Sequence, residues 1–157
     1  MAIKVRSAAF ENGHAIPKKH SGEGEDISPP LAWEGVPPES KQLALICDDP
    51  DAPREEPWVH WLIYNIPPGV KELPEGVKPQ EHPAEPTQTA QGENSWGNIG
   101  YGGPMPPPGH GTHHYHFRLY AASVEPGLDP GLTKQQLLDA LGDRALAEGE
   151  LIGTYER

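Results

Sequence analysis

The stretch Tyr101–Tyr120, Y-G-G-P-M-P-P-P-G-H-G-T-H-H-Y-H-F-R-L-Y, changes character halfway along. Its first half is mostly glycine and proline. Proline fixes φ and lacks an N–H donor, so this half is neither a helix nor a central strand. The second half is rich in aromatic residues and reads as a strand. Strand side chains alternate between faces. His113, Tyr115, Phe117 and Leu119 therefore share one face, and His114, His116, Arg118 and Tyr120 share the other. The first set ends in three aromatic or apolar groups and is expected to face the core. His113 is carried inward with it, to the point where a stiff loop meets the sheet. Two readings fit such a histidine: a core imidazole bonded to backbone, or part of a site.

Two further strands lie upstream. Gln42–Cys47 is a nearly continuous apolar run and reads as a buried strand. It stops at Asp48-Asp49-Pro50-Asp51-Ala52-Pro53, where two prolines fix the backbone. Aspartates on such a turn are ordinary turn formers. Trp58–Ile66, W-V-H-W-L-I-Y-N-I, ends at Pro67-Pro68-Gly69, a turn signal. Strict alternation puts Trp58, His60, Leu62 and Tyr64 on one face. Both faces are apolar, so the strand is expected to be central and His60 buried or half-buried.

The remaining elements are weaker. Ile3–Phe10 suggests a short first strand, and Glu11–Pro38 a long ordered loop in which Leu31 and Trp33 alternate. Val70–Leu73 is a weak strand, and Thr87–Gly100 is short of apolar residues. Thr133 with Gln136 three residues on forms a capping-box pattern that opens a helix. Its apolar stripe is Leu137, Leu138, Leu141, Ala145 and Leu146, weakened or divided by Gly142. Leu151–Tyr155 closes the chain as a strand or docked tail. Short strands joined by glycine and proline, with one helical segment, point to a mainly β sandwich with peripheral helices.

Composition narrows the function. At 157 residues the chain suits one domain, 1–157. The 18 glycines and 20 prolines are spread among apolar runs, as in a loop-rich folded protein. Twelve basic residues against 23 acidic ones give a formal charge of −11, which opposes nucleic acid and anionic membrane as partners. The single cysteine, Cys47, excludes an intramolecular disulfide and reads as a small buried hydrophobe. No apolar run suits a signal peptide or a membrane span, so a cytoplasmic location without membrane insertion is expected.

Three chemistries compete for the inward residues. Asp49, Asp51, His60 and His113 are donors that a metal accepts, but no local pair has ligand spacing. Nucleophilic catalysis finds no G-x-S-x-G turn, although acid–base work by His113 with Asp49 stays open. Binding of a small anion uses the most features: imidazole N–H groups, the Tyr115 hydroxyl, and a glycine loop that allows close backbone approach.

Three blocks resemble the phosphatidylethanolamine-binding protein family, also called Raf kinase inhibitor-like proteins, in its prokaryotic branch. They are Phe10-x-x-Gly13 through Ile16-Pro17 with Ser28-Pro29-Pro30-Leu31 and Trp33; Asp49-Pro50-Asp51-Ala52-Pro53 with Trp58-Val59-His60-Trp61; and Gly100-Tyr101-Gly102-Gly103-Pro104 with His113-His114-Tyr115. The resemblance implies two antiparallel sheets with Greek-key connections. It implies a pocket for a small phosphorylated or carboxylated ligand, without metal or cofactor. Carried over, the ligand-binding set is Asp49, Asp51, His60, Gly103, His113 and Tyr115, walled by Pro53, Trp58 and Pro104. It also implies a homodimer. Eukaryotic members bind kinases, and some are described as protease inhibitors, so inhibition of a protease or kinase through surface loops is an alternative. Hydrolase-type chemistry by His and Asp is another. Met105 stands where relatives often have Cys, and His114 where many have Arg.

Overall fold

The computed structural model describes residues 2–157. In chain order the elements are β1 (Lys4–Arg6), β2 (Leu31–Glu34), β3 (Gln42–Asp49), β4 (Trp58–Ile66), β5 (Glu72–Leu73), β6 (Ala90–Gln91), β7 (His113–Ala122), α1 (Lys134–Leu141) and β8 (Ala145–Tyr155), with a 3-10 turn at Lys18–His20. The strands form two antiparallel sheets, ordered β1-β2-β5 and β6-β4-β3-β7-β8. The order β7-β3-β4-β6 is that of a Greek key, with β5 of the other sheet inserted in the β4–β6 connection.

The large sheet is covered on both faces, which explains why every residue of β3 is buried. Between the sheets, Leu43, Leu45 and Cys47 pack with Trp61, Ile63, Tyr115, Phe117, Leu119, Leu31 and Trp33. On the other face, Ala44, Ile46, Leu62 and Tyr64 pack with Leu137 and Leu141 of α1. Each fully buried aliphatic or aromatic side chain here contributes about 1.5–3 kcal/mol over an exposed one. Trp61 satisfies its indole N–H by donating to Gln91 Oε1 at 2.7 Å. No helix among the described residues is long and apolar enough to cross a membrane.

Four local expectations change. Leu31–Glu34, read as part of a long loop, is strand β2 and pairs with both β1 and β5. β6 forms in the stretch that is poor in apolar residues, because Ala90 and Gln91 complete the edge of β4. The Thr133–Gln136 capping box is present, but α1 stops at Leu141, where Gly142 caps it at φ +55. Ala145 and Leu146 accordingly belong to β8, which pairs with β7 along its whole length and is far longer than a Leu151–Tyr155 tail.

The fourth change concerns β4. Cys47 of β3 lies opposite Trp61, while Asp48 lies opposite Val59, so His60 is an extra residue in the ladder, a β-bulge. The bulge resets the alternation. Leu62 and Tyr64 face α1 and its neighbours, but His60 turns to the sandwich side, where its ring meets Tyr115.

Candidate functional site

The site forms where β3, β4 and β7 leave the core. Alternation along β3 puts Cys47 and Asp49 on the sandwich side and Asp48 on the other. Asp48 is fully buried and paired with Lys134 Nζ at 2.7 Å and Arg118 Nη1 at 3.2 Å, which ties α1 to the sheet. Asp49 instead faces His113. Its Oδ2 accepts from His113 Nδ1 at 2.6 Å, and its Oδ1 accepts from the Asp51 N–H at 2.8 Å. A carboxylate accepts and does not donate, so His113 carries its hydrogen on Nδ1. That leaves Nε2 as an acceptor, and it lies 2.6 Å from His110 Nδ1.

His60 is held by a reciprocal pair of bonds. Its Nδ1 donates to the Gly102 carbonyl at 2.6 Å, and the Gly102 N–H donates back to the His60 carbonyl at 2.9 Å. Its Nε2 is then the unprotonated nitrogen of a neutral ring. Burial pushes the His60 pKa below its ordinary value, against the pull of the Gly102 bond and the Asp49 carboxylate. The ring stands edge-on to Tyr115 (5.0 Å between centroids) and to Trp96 (5.1 Å). Burial also raises the Tyr115 phenol well above its ordinary value, with Asp49 adding to the shift, so its hydroxyl keeps its hydrogen.

These groups open on a cavity of about 210 Å³. Its polar end is Asp49, His60, His113 and Tyr115. The rest of the wall is largely apolar: Pro53, Trp58, Trp96, Met105, Pro106 and Pro107 among others. Arg54 is the one lining residue with a permanent positive charge, and its guanidinium lies 4.5 Å over the Trp58 ring.

Of the nine residues proposed for the site, six line this cavity: Asp49, Pro53, Trp58, His60, His113 and Tyr115. Asp51, Gly103 and Pro104 lie outside its wall. The Asp51 carboxylate is half-exposed and turned to His114, accepting from its backbone N–H and its Nδ1, both at 2.8 Å. The Gly103 N–H is taken by Asp26 Oδ1 at 2.7 Å. A Cβ at Gly103 would stand 2.3 Å from the His20 carbonyl oxygen, so glycine is required there for close packing rather than for a ligand. Tyr101 adds a second strap, its hydroxyl donating to the His20 carbonyl at 2.6 Å.

Arg54, Trp96, Met105, Pro106, Pro107, His110 and Asp26 were not singled out as site residues. His110 had one legible signal, its place between two glycines three residues before His113. Nothing local marks Trp96 or Asp26, which reach the site through folds of distant loops. Among the described residues, no three His, Cys, Asp or Glu side chains converge in a way that could hold a metal ion. Burial pushes the Cys47 thiol well above its ordinary value, which keeps it a core residue rather than a nucleophile.

A family profile described as phosphatidylethanolamine-binding protein matches residues 6–156. The chain belongs to that family. Among its relatives, the UPF0098 protein of Pyrococcus horikoshii is 46% identical over 157 residues, covering 100% of this chain and 78% of that protein. The UPF0098 protein of Methanothermobacter thermautotrophicus is also 46% identical, over 155 residues, with 99% of each chain covered. Two solved structures share the fold. One is Escherichia coli YbcL, described as a member of the mammalian PEBP family (TM-score 0.92, 33% identity, 100% and 99% coverage). The other is a Chlamydia trachomatis protein described as a PEBP homologue (TM-score 0.88, 43% identity, 99% and 98% coverage). The two-sheet architecture is thus the PEBP fold.

Proposed function

We propose that this PEBP-family chain binds a small phosphorylated or carboxylated ligand, without turnover, at the His60–His113–Tyr115 end of the cavity. One observation carries the reading: two imidazoles and a protonated phenol from β4 and β7 meet in a single small cavity whose other walls are mainly apolar. The volume suits a phosphoryl or carboxylate group with a short attachment. Tyr115 supplies a hydroxyl donor, and Arg54 supplies charge at the rim. The family description names a phospholipid whose headgroup bears such a phosphoryl group. The formal charge of −11 favours a free ligand over one presented on an anionic bilayer.

The neutral state of His60 shapes how an anion is held. Its Nε2 accepts, so the ligand either brings a hydrogen, as monohydrogen phosphate does, or binds together with a proton. Calorimetric titration with phosphate, phosphoethanolamine and acetate tests the reading on wild type and His113→Ala. Binding to wild type with loss in the variant is expected. Equal affinity in the two proteins, or no binding to wild type, overturns the assignment.

A further inference from the structure

We propose that His110 is a built-in competitor for the anion site, a latch seated on the ring nitrogen of His113 that a ligand would use. This rests on the assignment of the cavity as the anion site. His113 has two ring nitrogens, and in this structure both are taken by the protein. Nδ1 donates to Asp49 at 2.6 Å, and Nε2 receives His110 Nδ1 at 2.6 Å. The two rings stand 4.8 Å apart at 60°. While His110 is in place, the one His113 nitrogen not held by Asp49 is occupied, so it can neither accept from a ligand nor take up a proton to hold an anion.

The two partners differ in how firmly they are held. Asp49 is buried in the strand, but His110 is exposed and sits on a loop tip. Its neighbours Gly109 and Gly111 have φ of +76° and +98°, and a Cβ at either would meet nothing within 4 Å. The base of the loop is anchored. Arg157 Nε donates to the Pro106 carbonyl at 2.6 Å, the Gly109 N–H donates to the Arg157 carbonyl at 3.0 Å, and Thr112 Oγ1 donates to Glu156 at 3.2 Å. The His110 N–H is also held, by the Pro107 carbonyl at 3.1 Å, so the tip backbone stays in place and the exposed imidazole leaves for water by rotating about its own side-chain torsions, with Pro106 and Pro107 still in the cavity wall. The site has a latched state and an open state, and the ligand pays for the difference through its apparent affinity.

The experiment uses the full chain with inorganic phosphate. In the ligand-free protein, nitrogen-detected NMR of the histidine rings should show His113 with its hydrogen on Nδ1 and an accepting Nε2. His110→Ala should move the His113 Nε2 resonance. The same variant should bind phosphate about three- to tenfold more tightly, as expected if one exposed hydrogen bond holds the latched state. His110→Asn, whose amide can place a donor where Nδ1 stands, should return affinity toward wild type. An unmoved Nε2 resonance overturns the latch whatever the ligand does. Equal or weaker binding by His110→Ala, with wild type binding, overturns the latch alone. Binding by neither protein overturns the cavity assignment, and the gating role falls with it.

Discussion

Asp49→Ala is expected to cost the fold about 2–4 kcal/mol although it removes no apolar side chain. The carboxylate serves two donors, the His113 ring at 2.6 Å and the Asp51 N–H at 2.8 Å. The first lies in a closed setting, since the His113 and Asp49 side chains are 2% and 4% exposed. Losing a bond to a charged acceptor there costs about 1.5–3 kcal/mol. The second lies at an exposed turn where water replaces the carboxylate, so it adds about 0.5–1 kcal/mol. Relief of the buried charge offsets part of this and keeps the sum below the cost of two fully stranded donors. For a chain of this size the melting temperature should fall by roughly 5–12 °C. Asp49→Asn retains one acceptor and should lose about half as much. Urea denaturation of the three proteins measures the difference directly. A loss under about 0.5 kcal/mol for Asp49→Ala would show that the pair contributes nothing net, and would refute the view that it organises the site.

Other expectations follow from the same geometry. Because burial lowers the His60 pKa, the unfolded chain binds more protons than the folded one below about pH 6.5, and stability should fall as pH drops through that window. His60→Asn keeps a donor for Gly102 but cannot titrate, so its urea midpoint should lose less than wild type between pH 7.5 and 5.5; equal losses would contradict a neutral buried His60. Lys134→Met should cost about 1–3 kcal/mol, because fully buried Asp48 is left with Arg118 alone, and an unchanged urea midpoint would refute that. Arg54→Gln should weaken phosphate binding about two- to fivefold at low salt, with the difference shrinking as salt screens an exposed charge. Identical low-salt affinities would remove Arg54 from the site.

The legible part of the site is the part governed by local alternation. His113, Tyr115, Phe117 and Leu119 lie inward, as the aromatic strand pattern requires, and β7 shows that alternation along its length. The same rule fails at His60. The bulge depends on how β3 pairs with β4, and no property of W-V-H-W-L-I-Y-N-I by itself records the extra residue. Alternation also cannot reveal which loop returns to a strand end. Arg54 reaches the cavity from the β3–β4 connection, and Trp96 and Met105 from separate parts of the long β6–β7 connection.

Proline and glycine behaved in the same divided way. They marked where strands and the helix end, because missing N–H donors and positive φ are properties of single residues. They did not tell what the loop backbone is bonded to. Gly103 looked free to meet a ligand, yet its N–H is held by Asp26, 77 positions away. By itself, then, the sequence determined the central strands β3, β4 and β7, the buried face of β7 and the helix cap, since each follows from short-range periodicity and stereochemistry. Only the tertiary structure decided which way His60 faces, that Asp51 turns to His114, and that His110 occupies His113, because each depends on atoms brought together by strand pairing and loop packing.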